Sequence, residues 1–251
     1  MPTWLAAGMW GLVAGGALVL GAAVAWRARV PRKVIAWVMA FGAGVLISAL
    51  AFDLVEEASE SAGLVPVAGG FLLGAVVYVG ANAVLARRGA QHRKRSGDQQ
   101  PSEDEQAGSG TAIALGALLD GIPESVVLGL GLVGGGAVSP AMLAAIFISN
   151  VPEGLSSSAG MKTNGRSARY VFGVWCGIAL ASGVAALLGY LALQDASAGS
   201  IAFITTIAAG AILAMVADTM IPEAFERAQR VSGLVTSVGF LVAFTIHQLG
   251  G

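Results

Sequence analysis

TAIALGALLDGIPESVVLGLGLV (residues 111–133) and VSPAMLAAIFISNVPEGLSSSAG (residues 138–160) carry between them three charged side chains, the carboxylates Asp120, Glu124 and Glu153. Each stretch is long enough to cross a hydrocarbon core as a helix, which takes about 20 apolar residues. Each also has a Pro-Glu pair near its centre. A carboxylate at that depth costs about 2.5–3.5 kcal/mol on insertion scales, so it marks a functional site and demands a partner.

The rest of the chain fits the same class. Hydrophobic residues make up 56% of 251, charged residues 12%, and there are 36 glycines, a mix far from that of a soluble domain. Hydropathy predicts an all-α polytopic membrane protein, a bundle of eight transmembrane helices. The spans are near 4–26, 34–55, 64–86, 111–133, 138–160, 170–193, 199–221 and 231–250. All 14 Lys and Arg residues fall in alternate connections: Arg27, Arg29, Arg32 and Lys33; Arg87, Arg88, Arg93, Lys94 and Arg95; Lys162, Arg166 and Arg169; Arg227 and Arg230. Basic flanks of short loops are retained in the cytoplasm, so both termini are predicted outside. The first span has its cations behind it, the reverse of a secretory signal, and is expected to stay as a helix.

One membrane domain therefore divides into residues 1–86 (helices one to three), 87–110, and 111–251 (helices four to eight). The middle segment, RRGAQHRKRSGDQQPSEDEQAGSG, is polar and free of large apolar residues, and reads as a mobile cytoplasmic loop with His92 a solvated member of a basic run. A net charge of −1 gives no reason to expect a nucleic-acid partner. The single Cys176 cannot form an internal disulfide and is read as a small buried residue. Gly11 with Gly15, and Gly70 with Gly74, have the spacing that lets helices approach closely in lipid.

The GGGAVSP connection is short, so helices four and five are expected to run antiparallel and pack together. Asp120 lies about 14 Å and Ser149 about 16 Å from the start of its span at 1.5 Å per residue. Asp120 and Glu124 share one face, as do Ser149 and Glu153, and together they offer three carboxylates with hydroxyl and amide oxygens. Pro123 and Pro152 each remove a backbone donor, freeing the carbonyls of Leu119 and Ile148, and broken helices at mid-depth are where secondary transporters bind ions. Three carboxylates without a cation in their own spans are read as a cation site. A third Pro-Glu, in ADTMIPEAFE, places Asp218 where it could help release an ion, with Glu223 and Glu226 as a solvated helix end. Asp53, Glu56, Glu57 and Glu60 line one face at the far end of span two, an acidic vestibule or a polar helix end. His247 is read as a lone interfacial residue.

On these motifs the chain resembles the ZIP (Zrt/Irt-like) family of divalent metal transporters across all eight spans. The family typically carries His-Asn-x-Pro-Glu-Gly in helix four and His-Asn/Asp-x-Pro-Glu-Gly in helix five, forming a binuclear metal site. Carried over, the first motif falls on Asp120, Gly121, Pro123, Glu124 and Ser125, the second on Ser149, Asn150, Pro152, Glu153 and Gly154. Both histidines are replaced, and the Glu-Pro of helix six is replaced by Ser182 and Gly183. The resemblance implies transport of divalent metal ions of the zinc, iron or manganese class toward the cytoplasm, in the plasma (inner) membrane, by a homodimer. The metal set would be Asp120, Glu124, Ser149, Asn150, Glu153 and Asp218, an oxygen-only site suited to harder ions than zinc. The metal is cargo, no cofactor is expected, and membrane lipid is the surrounding partner. An intramembrane enzyme is disfavoured, because no His-Glu-x-x-His, Gly-x-Gly-Asp or Ser/His pair in adjacent spans is present. A proton-coupled carrier of another solute and a non-transporting membrane scaffold stay open.

Overall fold

The computed structural model describes residues 1–250 apart from Glu103 and Gln229, and the side chains of Arg227, Ala228 and Gly250 also lie outside the description. Among the described residues there are eight long helices and no strands. They are α1 (Thr3–Arg27), α2 (Arg32–Ala62), α3 (Leu64–Ala90), α4 (Ser109–Leu130), α5 (Pro140–Thr163), α6 (Ala168–Leu193), α7 (Ala198–Glu226) and α8 (Ser232–Gly250). All but α5 are long and apolar enough to cross a membrane, as expected of a multi-pass membrane protein.

Local chemistry sets the ends. Ser139, Ser167 and Ser197 cap α5, α6 and α7 by accepting from the backbone N–H of Met142, Tyr170 and Ser200, and Pro140 fills the first position of α5, where no donor is needed. Gly63, at φ 78°, turns the chain between α2 and α3. Wide, π-type turns interrupt α2 at Leu50–Glu56 and α7 at Val216–Met220. The second lies just before Pro222, whose missing donor a widened turn tolerates. Pro123 and Pro152 do not break their helices: both α4 and α5 run on through the proline.

The packing explains the exception. α5 lies against α1 and α2, and α4 lies against α6, α7 and α1. α5 buries Ser149, Asn150, Ser156, Ser157 and Ser158 among its neighbours. A helix enclosed by protein needs no apolar exterior, so its serines do not argue against its place in the bundle. α3 and α8 lie at the rim with mostly exposed apolar faces. The expectation that α4 and α5 pack on one another is corrected, because they touch only slightly. Cys176 is exposed on α6 rather than buried. The paired glycines do make close contacts: a Cβ at Gly15 would lie 2.7 Å from Ala179 Cα, and one at Gly74 would collide with the carbonyl of Ile207.

The connections that carry the cations meet at one end of the bundle. Lys162 Nζ donates to the carbonyls of Trp26 and Ala25 at 2.8 and 3.4 Å. Asn164 Nδ2 donates to the Gly97 carbonyl at 3.3 Å, and Arg166 Nη2 to Ser109 Oγ at 2.7 Å. The segment between α3 and α4, expected to be mobile, is folded into this end, with Arg93, Lys94, Ser96 and Gln100 buried.

Candidate ion site

Asp120 projects from the middle of α4 into a buried polar cluster. Its Oδ1 accepts from Tyr78 Oη at 2.6 Å and Arg93 Nη2 at 2.7 Å, and its Oδ2 accepts from Arg93 Nε at 2.9 Å. Lys94 Nζ stands 3.3 Å from Oδ2. A carboxylate has about four acceptor sites, so Asp120 is saturated. Arg93 is equally well supplied: Nη2 also donates to Tyr78 Oη and Nη1 to Asn82 Oδ1, both at 2.8 Å. Each member of the pair is 2% exposed. The cation that the three intramembrane carboxylates lacked comes from the segment read as a solvated loop.

Lys94 reaches the second Pro-Glu motif. Its Nζ lies 2.8 Å from Glu153 Oε1, an ion contact without hydrogen-bond alignment, so one ammonium spans the carboxylates of α4 and α5. Glu124, one turn beyond Asp120 and 2% exposed, has an Oε1 that meets no donor. It is within coulombic reach of Glu153, Lys94 and Asp120. The buried carboxylate oxygen with neither donor nor ion contact in this cluster is therefore Glu124 Oε1.

The other expected ligands are placed differently. Asn150 Nδ2 donates to the Ala14 carbonyl of α1 at 2.9 Å, which makes it an interhelical tie. Ser149 Oγ donates to its own helix at Ile146, 3.0 Å, on the face near Gly42 of α2. Asp218 is exposed, and Asn82 Nδ2 lies 3.5 Å from its Oδ2. Glu223, read as a solvated helix end, is 2% exposed. It accepts from Ser96 Oγ at 2.6 Å and Ser96 N at 3.1 Å, with Ser156 Oγ 3.1 Å away. Among the described residues no three His, Cys, Asp or Glu side chains gather around one point; Lys94 stands between two of the three carboxylates. Ser182 of α6 faces Gly121, where a Cβ would lie 3.6 Å from its Oγ.

Sequence reasoning missed Tyr78, Asn82, Arg93, Lys94 and Glu223. The usable signal was charge balance: buried carboxylates need a counter-charge, and RKR at 93–95 is the nearest cation run in the chain. His92 makes no such contribution; burial, and then the nearby Arg95, push its imidazole below the ordinary range.

At the opposite end, Asp53 on the wide turn of α2 meets His247 Nδ1 of α8 at 3.0 Å and Ser139 Oγ at 3.4 Å. His247 is thus partnered. A cavity of about 230 Å³ lies beside them, lined by Asp53, Glu57, Leu128, Ser139, Met142 and Thr205. Leu128 is one turn beyond Glu124, so the cavity approaches the carboxylate cluster along α4. Comparison with protein-family models finds no match, and comparison with curated proteins finds none either.

Proposed function

We propose that this chain is an eight-span transporter of divalent cations, ZIP-like in its motifs, that binds its ion between α4 and α5 through Glu124 and Glu153. Both termini lie outside, α5 is the eighth span, and the ion moves toward the cytoplasmic, cation-rich end of a plasma (inner) membrane protein. The observation that carries this reading is Glu124: a carboxylate buried within α4, one turn from Asp120, with an oxygen that no donor meets. A stable protein does not leave such a group unmatched without use, since an unsatisfied buried acceptor costs about 1–3 kcal/mol and a charged one more. The acidic cavity at the outer end, approaching Glu124 through Leu128, supports an entry route. With oxygen donors alone, Mn²⁺ and Fe²⁺ compete with Zn²⁺ better than at an imidazole site.

A panel of Mn²⁺, Fe²⁺ and Zn²⁺ uptake in proteoliposomes tests the reading. Saturable uptake is expected for the unmodified chain and its loss for Glu124→Gln and Glu153→Gln; a flat panel rejects transport. The bidentate Arg93–Asp120 pair favours a second reading, a membrane scaffold whose ancestral site is permanently neutralised, and that reading predicts the flat panel.

A further inference from the structure

We infer that Arg93 and Lys94 are tethered occupants of the cation site, so that docking of the 91–100 segment and binding of the transported ion exclude one another. Mutual exclusion rests on the transport reading of the same carboxylates. Its basis is geometric. Lys94 Nζ lies 2.8 Å from Glu153 Oε1, a carboxylate of the proposed ion site, and 3.3 Å from Asp120 Oδ2, so it holds a position that an ion on Glu153 would contest. The charge count agrees: Asp120, Glu124 and Glu153 face two side-chain cations, and one divalent ion replaces them with no change in the charge of the buried cluster.

The bundle is shaped to receive the segment. Gln100 Nε2 stands 3.0 Å from each of the carbonyls of Arg93, Arg95 and Ser157, more acceptors than its two N–H donors can serve singly. Ser156 Oγ donates to the Lys94 carbonyl at 2.5 Å, and Arg95 Nη1 reaches Glu226 at 2.6 Å. Two glycines make room. A Cβ at Gly116 of α4 would lie 2.6 Å from Arg93 Cδ, and one at Gly160 of α5 would collide with the Arg95 carbonyl and the Gln100 amide. Neither position has a positive φ that would itself require glycine. Their small size serves the docked segment.

The helix notches supply a test that leaves every charged residue in place. Gly160→Ala adds one methyl where the segment docks and favours the helix, since Ala is the better helix former. Docking is read by a thiol at Gly97→Cys on a Cys176→Ala background: Gly97 is buried in the docked segment, and a Cβ there has ordinary contact with the Arg32 side chain. The probes are Mn²⁺ and Zn²⁺ chloride on purified, monodisperse protein, with uptake measured in parallel in proteoliposomes. Saturating metal is expected to raise the labelling rate by about tenfold or more, which a ~1.4 kcal/mol shift in docking produces. Gly160→Ala should expose the thiol without metal and should lower the metal concentration for half-maximal uptake, and Lys94→Gln should do the latter as well. If the parent chain takes up metal while the thiol stays shielded, and Gly160→Ala leaves uptake unchanged, exclusion is overturned and transport survives. If Gly160→Ala exposes the thiol but no variant takes up metal, the transport reading fails and exclusion falls with it.

Discussion

Asp120 and Glu124 sit one helical turn apart on the same face of α4, yet their surroundings are opposite. Asp120 is held by Tyr78 and Arg93 with Lys94 beside it, whereas Glu124 Oε1 has no donor. Removing one partner of a buried ion pair strands the other and costs about 3–5 kcal/mol. Asp120→Asn, which leaves Arg93 facing an amide, is therefore expected to lower thermal stability in detergent markedly. Glu124→Gln is expected to leave the melting temperature equal or higher, because it removes a buried charge, while abolishing uptake. Similar melting losses in both variants would contradict this division of roles. The identity of these carboxylates was legible from sequence, since a charge in an apolar span stands out. Their different fates were not, because the partner lies outside any span, in a stretch whose composition reads as solvated. Asn150 illustrates the same limit: its place in the motif was plain, but its amide is turned to the Ala14 carbonyl of α1, which spacing along one helix cannot reveal.

At the scale of elements, contact between helices is governed by where glycine faces a neighbour. Gly69 and Gly70 are adjacent on α3, but a Cβ at Gly69 meets nothing within 4 Å whereas one at Gly70 would press on Thr206 and Phe203 of α7. Overpacking of this kind costs about 1–3 kcal/mol or more. Gly70→Leu and Gly74→Leu should reduce the yield of monodisperse protein severalfold by size-exclusion chromatography, and Gly69→Leu and Gly80→Leu should not. Equal yields across the four would show that α3 and α7 are not held by this seam. The Gly70 and Gly74 pairing was readable because close packing has a fixed four-residue period. The relation of α4 to α5 was not. A short connection argues adjacency, but Lys94, from the connection before α4, stands between Asp120 and Glu153. The prolines misled in a similar way, since each helix continues through its proline rather than opening there.

On the scale of the whole molecule, three of the cation-bearing connections meet at one end and the Asp53–His247 pair marks the other. The alternation of charge along the sequence is consistent with this clustering. Membrane sidedness adds a testable step. On a Cys176→Ala background, Ala137→Cys, in the exposed α4–α5 connection, should react with an impermeant thiol reagent in intact cells, and Thr163→Cys, exposed at the cation-rich end, should react only after permeabilisation. Reaction of Thr163→Cys from outside would invert the topology.

Arg93 and Lys94 carry their charges from the cation-rich end to the depth of Asp120 and Glu153. Any displacement of that segment toward its own end moves positive charge along the membrane normal. A full crossing of a 100 mV potential is worth about 2.3 kcal/mol per charge, and each of the two side chains would traverse a fraction of it. Under the proposed topology, with that end in a negative cytoplasm, the field would draw the segment out of the bundle. Undocking would thus be voltage-sensitive, and a transient displacement current without any ionic flux would be its electrical signature.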